Sequence, residues 1–295
     1  MQHVVTEPTR PFSTRSGQLD IHQVPSWQDN LIWLVVHPAS GEAAAVDGPE
    51  AGTVLDYCES LGVKLAVVVN THTHPDHIGI NRDLQKRGLL SGMRVFGPKK
   101  VADKIPGLTH PLSEGDEITL GDVTGRVMLT EGHLDGHLSY VLDDILFCGD
   151  TLFAGGCGYL FDGPPAKMHD SLSRLAALPD ATKVCCAHEY TEDNLRFAWS
   201  VEPDNAALAQ RIRSVWAIRA KGGSTVPSTI AAERATNPFL RWHSAGLVER
   251  VRAALPNASL DTPAEVFAAT RHLKDLGHHK TLSDEQLPLY SGYQS

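Results

Sequence analysis

The chain has 295 residues, 42% hydrophobic and 21% charged, enough for one large domain or two of moderate size. Its 26 Lys and Arg against 35 Asp and Glu give a net charge of −9 at pH 7, which supplies no basic field for a phosphate backbone and excludes nucleic acid as an expected partner. The apolar runs Leu31–Val36 and Leu65–Val69 fall far short of the ~20 residues that cross a bilayer, and no apolar targeting segment follows the N-terminus. The expectation is a soluble, cytoplasmic protein with no membrane contact. Five cysteines, Cys58, Cys148, Cys157, Cys185 and Cys186, are odd in number and form no CxxC pair, which fits a reducing compartment better than a disulfide framework or a thiolate zinc site. The 15 histidines are the unusual count, because imidazole is the commonest metal ligand.

Residues 1–17 are polar, contain Pro8 and Pro11 and lack a sustained period, so a mobile tail is expected there. Short β-rich runs follow at Leu31–Val36, Ala43–Asp47, Leu65–Val69, Arg94–Phe96, Val123–Leu129, Leu138–Leu142 and Ile145–Cys148. The turn signals Gly121-Asp122 and Asp143-Asp144 suggest mostly antiparallel hairpins. Pro49 and Gly62 bracket a helix over Glu50–Leu61, and Met168, Leu172, Leu175 and Ala176 mark another over Pro165–Leu178. A strand over Lys183–Ala187 comes next. After Glu189 the segments Asn194–Val201, Ala206–Lys221, Thr229–Ala235, Leu247–Ala254 and Thr262–Lys274 all read as helices. The organisation expected is a mixed α/β domain over 18–188 and a helical, substrate-binding domain over 189–295.

The segment Asn70-Thr71-His72-Thr73-His74-Pro75-Asp76-His77 directly follows the apolar strand Leu65–Val69. In an extended chain His72 and His74 project to one side, where both imidazoles can meet one ion. Pro75 then turns the chain, so that Asp76 and His77 face a neighbouring point. His133, Asp150 and His188 also follow apolar strands, which places all these candidates along one rim of the sheets. Five His and two Asp with no thiolate suit Zn²⁺, with Fe or Mn as alternatives. Asp150, on a different strand from the histidine groups, is the candidate bridge between two ions, and an open two-metal site points to hydrolysis by a bridging hydroxide. His137, beside the ligand loop, reads as a hydrogen-bonding support. Cys157, in Gly156-Cys157-Gly158, reads as part of a tight turn rather than as a nucleophile.

With Thr71-His72-Thr73-His74-Pro75-Asp76-His77, Gly132-His133, Gly149-Asp150 and His188 in that order, the sequence resembles the metallo-β-lactamase superfamily. That likeness implies a four-layer αβ/βα sandwich, here with a helical C-terminal domain. His188-Glu189-Tyr190-Thr191, Asn194-Leu195, Asn237-Pro238-Phe239 and Arg271-His272-Leu273-Lys274-Asp275 narrow the resemblance to the hydroxyacylglutathione hydrolase (glyoxalase II) family, from about Asp20 to Asp275. The resemblance implies His72, His74 and His133 on one ion, Asp76, His77 and His188 on the second, and Asp150 bridging, with Asp76 also orienting the nucleophile. It further implies that Tyr190, Asn194, Arg271 and Lys274 contact glutathione. Arg271 and Lys274 are i, i+3 on one predicted helix, so both cations can face one way. Tyr159, also at a substrate-binding position, stands where the family usually carries a basic residue, with Phe161 two positions on, and Glu131 replaces the common Pro before Gly132.

The implied reaction is hydrolysis of an S-2-hydroxyacylglutathione thioester, such as S-D-lactoylglutathione, by a monomer or homodimer. The alternative within the same fold is a glutathione persulfide dioxygenase with one Fe(II), which needs only His72, His133 and Asp150. A non-catalytic glutathione-binding module would be expected to lack a ligand, and none is missing.

Overall fold

The computed structural model describes residues 3–290. The first half of the chain forms β1 (Phe12–Ser13), β2 (Asp20–Ser26), β3 (Asn30–His37), β4 (Glu42–Val46), α1 (Gly52–Leu61), β5 (Lys64–Val69), α2 (Pro75–Lys86), β6 (Arg94–Pro98) and β7 (His110–Leu112). These seven strands make one sheet in chain order. A second sheet holds β8 (Glu117–Leu120), β9 (Val123–Leu129), β10 (Leu138–Leu142) and β11 (Ile145–Gly149). The chain then makes a small hairpin, β12 (Leu152–Phe153) and β13 (Gly156–Cys157), the helix α3 (Pro165–Ala176) and the strand β14 (Lys183–Cys186). Helices α4 (Thr191–Val201) and α5 (Ala206–Arg219) precede the short strand β15 (Ser228–Thr229), and α6 (Ile230–Thr236), α7 (Ala245–Ala254) and α8 (Pro263–Asp275) follow it. The second sheet has the order β15-β14-β11-β10-β9-β8.

β3 is buried at every position because its two faces meet different layers, as the two-residue period of a strand requires. Leu31, Trp33 and Val35 enter the core between the sheets, while Ile32, Leu34 and Val36 pack with Val54 of α1 and Ile78 and Leu84 of α2. The inter-sheet core includes Tyr140 and Phe147, and it continues through Met168, Leu172 and Leu175 of α3 to Phe197, Phe239 and Phe267 of the helical region. Each fully buried large side chain contributes roughly 1.5–3 kcal/mol of transfer free energy. The expected four-layer sandwich with appended helices is therefore present, and the appended helices share its core.

Mostly antiparallel pairing holds over the described strands, with eight antiparallel pairs and four parallel, though not within the first sheet, and three other expectations need correction. The first sheet is only half antiparallel: β1 to β4 pair antiparallel, but β4, β5, β6 and β7 pair parallel. The crossovers through α1, α2 and the 3₁₀ segment Lys99–Lys104 make this possible, since parallel neighbours need a long connection and not a tight turn. The mobile tail expected over 1–17 does not hold for its described part. Val5 is buried, the N–H groups of Thr6 and Glu7 donate to Gly222 O at 3.0 Å, and β1 pairs with β2. An aperiodic polar segment can satisfy its backbone on distant chain, which periodicity cannot reveal. Residues 1 and 2 of that segment, and 291–295 of the helical region, lie outside the described residues. The segment after Glu189 is not free of strand, because β15 pairs with β14. Finally, β2 and α2 exist where sequence pattern gave no element: Pro25 interrupts β2, and α2 opens with polar and ligand-type residues.

Candidate metal centre

The chain leaves β5 at Asn70, whose carbonyl accepts from Tyr140 Oη at 2.7 Å and whose side-chain amide donates to His77 O at 3.1 Å. These bonds hold the loop that carries His72 and His74. Asp76 and His77 are not on that loop, because Pro75 begins α2 and puts both in its first turn. Proline suits this position, where a backbone N–H has no helical partner and φ near −65° is already set. At the end of β11, Gly149 has φ +45°, and a Cβ there would lie 2.3 Å from Thr71 Oγ1 and 2.8 Å from His137 Nε2. Only glycine lets the chain pass so close and present Asp150. Gly158 approaches from the β12–β13 hairpin; a Cβ on it would lie 2.0 Å from Asp150 O and 3.0 Å from His133 Nδ1.

All seven sequence-predicted candidates converge in two groups, His72, His74, His133 and Asp150 in one and Asp76, His77 and His188 in the other, with donor atoms in each within 4.8 Å of one another. Asp150 spans both. Its Oδ2 is 3.5 Å from His133 Nε2, and its Oδ1 is 3.5 Å from His77 Nε2 and 3.4 Å from His188 Nε2. Asp76 Oδ2 is 3.5 Å and 3.4 Å from the same two nitrogens and accepts from Asn30 Nδ2 at 3.0 Å.

The outward ring nitrogens fix the tautomers. His188 Nδ1 donates to Asp29 Oδ1 at 2.8 Å, His77 Nδ1 to Asp47 Oδ2 at 3.0 Å, and His133 Nδ1 to Tyr159 O at 2.7 Å. Thr71 Oγ1 gives its proton to Asp47 Oδ2 at 2.7 Å and so accepts from His72 Nδ1 at 3.0 Å. His72, His133 and His188 therefore turn a lone pair at Nε2 into the site, and His77 turns its Nε2 there as well. These inward nitrogens crowd together: His72 Nε2 and His133 Nε2 lie 3.1 and 3.0 Å from His74 Nδ1, and His188 Nε2 lies 3.3 Å from His77 Nε2. Asp150 Oδ1 is buried without a hydrogen-bond partner. Converging ring nitrogens around a carboxylate oxygen without a hydrogen-bond partner fit divalent cations.

Electrostatics divide the rings: against burial, Asp150 and then Asp47 hold His77 well above the ordinary imidazole value, so without a metal it keeps a second proton, which a bound cation would displace. Burial, followed by the neighbouring His77 and His137, holds His72 well below the ordinary imidazole value, and burial lowers His133 and His74 despite Asp150. These rings are neutral and free to ligate. Burial opposes ionisation of Asp150, but His188, His77 and His72 outweigh it and keep the carboxyl far below its usual range. His137 supports the site as expected: its Nε2 accepts from Asp150 N at 3.2 Å, and its ring stacks on His72 at 4.8 Å.

Asp47 and Asp29, the buttresses of His77 and His188, were not singled out as functional from sequence. Asp47 closes the apolar run Ala43–Val46, the same strand-end signal that marked the ligands, but a carboxylate 25 residues before the motif has no spacing to betray it.

Beside the cluster, Tyr159, Tyr190, Asn194, Arg271 and Lys274 line one cleft of about 280 Å³. The Tyr190 ring stacks on His188 at 4.8 Å and its hydroxyl reaches Asp29 at 3.3 Å. Arg271 is buried, donating to Cys157 O at 3.3 Å and to Asp275 Oδ1 at 2.5 Å. Lys274 donates to Asn194 Oδ1. The i, i+3 pair does share one face of α8, whose start carries a capping box between Thr262 and Glu265. Cys157 is a buried strand residue whose thiol burial pushes up, which leaves it protonated and inert.

The two-sheet sandwich with this cluster at the strand ends defines the metallo-β-lactamase superfamily, and residues 60–188 match the family described by that name. Residues 189–276 match the family described as hydroxyacylglutathione hydrolase C-terminus. The chain is 47% identical over 257 residues to the hydroxyacylglutathione hydrolase of Gloeobacter violaceus, covering 86% of this chain and 98% of that one. It is 45% identical over 260 residues to the enzyme of the same name from Methylococcus capsulatus, covering 88% and 98%. This chain belongs to the hydroxyacylglutathione hydrolase family. Among solved structures, it resembles that of ETHE1 from Myxococcus xanthus, with a TM-score of 0.57 and 25% identity, covering 88% of this chain and 99% of that one. Among the described residues no helix is long and apolar enough to cross a membrane.

Proposed function

We propose that the chain hydrolyses S-2-hydroxyacylglutathione thioesters, S-D-lactoylglutathione typically, adding water across the C–S bond to give the 2-hydroxy acid and glutathione. The observation that carries this reading is a complete double set of donors joined by Asp150, next to a cleft lined by the buried Arg271 and the partly buried Lys274. A mononuclear dioxygenase would leave Asp76, His77 and His188 without a task, yet Asp29, Asp47 and Asn30 orient all three.

His72, His74 and His133 would hold one ion and Asp76, His77 and His188 the other, with Asp150 between them; zinc suits these donors best, and iron or manganese also fit. When bound, the ions supply an activated water at neutral pH and positive charge against the oxyanion formed at the thioester carbonyl. Asp76, the most exposed of the cluster's carboxylates, would help hold the second ion and orient the attacking water. Arg271 and Lys274 bind carboxylates of the glutathione moiety and so hold the carbonyl over the cluster. The Tyr190 ring, stacked on His188, shields one side from solvent.

Charge removal at Arg271 or Lys274 should therefore raise KM and leave kcat nearly unchanged. Lys274 adds a pH signature. Burial, then the nearby Arg271, lowers it to about 8, so its charge is present below that pH and lost above it. KM is expected to rise as pH passes about 8 in the wild type and to stay flat in Lys274→Met. Steady-state kinetics from about pH 7 to about pH 9.5 test this; a wild-type KM independent of pH would remove Lys274 from the substrate site.

A further inference from the structure

Two pieces of chain outside the matched family regions contribute His3 and Lys280 to the wall of the candidate substrate cleft. The C-terminal match ends at 276, after which Gly277, in the left-handed conformation, leads into a 3₁₀ turn over His278–Thr281. This turn is fixed in place. Arg196, on α4, donates to Leu282 O at 2.7 Å and to Asp284 Oδ1 at 2.6 Å, and Leu287 beyond it is buried. The fixed turn sets Lys280 on the wall of the cleft that also holds Arg271, Lys274 and Tyr190. From the other end of the chain comes His3, bonded to Glu189 O at 3.0 Å and set edge-on to Tyr190 at 5.4 Å.

The charges in this cleft are unequally committed. Arg271 is paired with Asp275 at 2.5 Å, and Lys274 faces Asp193 at 3.8 Å, which also faces His279 at 3.6 Å. The exposed ammonium of Lys280 makes no ion pair within 4 Å and no side-chain hydrogen bond among the described residues, and feels Asp193 and Lys274 only at longer range. A glutathione thioester carries two carboxylates and a single ammonium. A ligand with that net negative charge, approaching a chain of net charge −9, is matched by a cleft in which one cation is still uncommitted.

We propose that Lys280 is a substrate-positioning residue that receives a carboxylate of the glutathione moiety, so that the chain beyond the family match completes the recognition begun by Arg271 and Lys274. This rests on the thioesterase reading above. Lys280 is exposed and on a turn held by other residues, so its replacement leaves the fold intact.

The test compares wild type, K280M and K280R. In K280M, KM for S-D-lactoylglutathione is expected to rise about five- to tenfold, with kcat within about twofold of wild type, and K280R restores most of the loss. Calorimetric Kd for the unreactive S-hexylglutathione should weaken by the same factor, and the gap between wild type and K280M should narrow with added salt. The preference for lactoylglutathione over S-D-lactoyl-N-acetylcysteamine, which has no carboxylate on its carrier, should fall about five- to tenfold as well. Wild-type KM, Kd and preference in K280M would overturn the proposal while leaving the thioesterase reading standing. A wild-type protein that holds metal yet neither binds S-hexylglutathione nor cleaves the thioester would overturn both.

Discussion

Asp150→Asn is expected to lower kcat for S-D-lactoylglutathione by about 10²–10³-fold and to deplete bound metal in the same sample. The reason is geometric and electrostatic together. Asp150 is the only one of the seven candidates whose two oxygens face both groups, within 3.5 Å of His133, His77 and His188. An amide keeps the shape but removes the charge that would offset two cations, and it substitutes a donor for one acceptor oxygen among the converging ring nitrogens. The backbone of residue 150 still donates to His137 Nε2 at 3.2 Å, so circular dichroism and thermal unfolding of the metal-free proteins should match. Parallel kinetics and elemental analysis decide the matter: full turnover with undiminished metal in the variant would remove Asp150 from its bridging place.

Arg211→Met is expected to cost about 3–5 kcal/mol of stability, read as a lowered urea midpoint at unchanged slope. Glu233 is wholly buried on α6 and receives Arg211 Nη2 at 2.5 Å, Gly155 N at 2.8 Å, Asn237 Nδ2 at 3.0 Å and the Ser228 hydroxyl. Removing the arginine strands a carboxylate inside the protein, and the penalty is that of an unpaired charge, far larger than the value of an exposed ion pair. Adding Glu233→Gln to Arg211→Met should recover part of the loss, as a double-mutant cycle would show. Because Gly155 and Asn237 tie this network to the β12–β13 hairpin, and Gly158 at its end abuts Asp150 and His133, the variant should also bind metal less tightly. An unchanged urea midpoint would mean that the network contributes little to the joint between the helices and the sandwich.

The convergence of the candidate ligands was legible because its signals are local. An apolar run ending in His-x-His-Pro-Asp-His states both the strand and the ligands, and His133, Asp150 and His188 repeat the strand-end placement. The i, i+3 relation of Arg271 and Lys274 was similarly local, and one cleft receives both. What escaped depends on contacts between distant segments. The buttress Asp47 meets His77 across 30 positions and Asp29 meets His188 across 159, and neither relation leaves a period or a spacing in the chain. Helix α2 was hidden because the ligands occupy its first turn, so the residues that mark the site also mask the start signal. The N-terminal segment looked free because it is polar, yet Arg219 donates to Val4 O at 3.0 Å and Thr9 Oγ1 donates to Val226 O at 2.6 Å. Such bonds depend on where the partner lies, not on the segment's own composition.

The most direct test measures metal content, thioester hydrolysis and oxygen uptake on one preparation of the intact protein. Two divalent ions per chain, with release of D-lactate and free thiol from S-D-lactoylglutathione and no oxygen consumption, are the expected result. One iron per chain, with oxygen consumed on glutathione persulfide and no hydrolysis of the thioester, would contradict the hydrolytic reading.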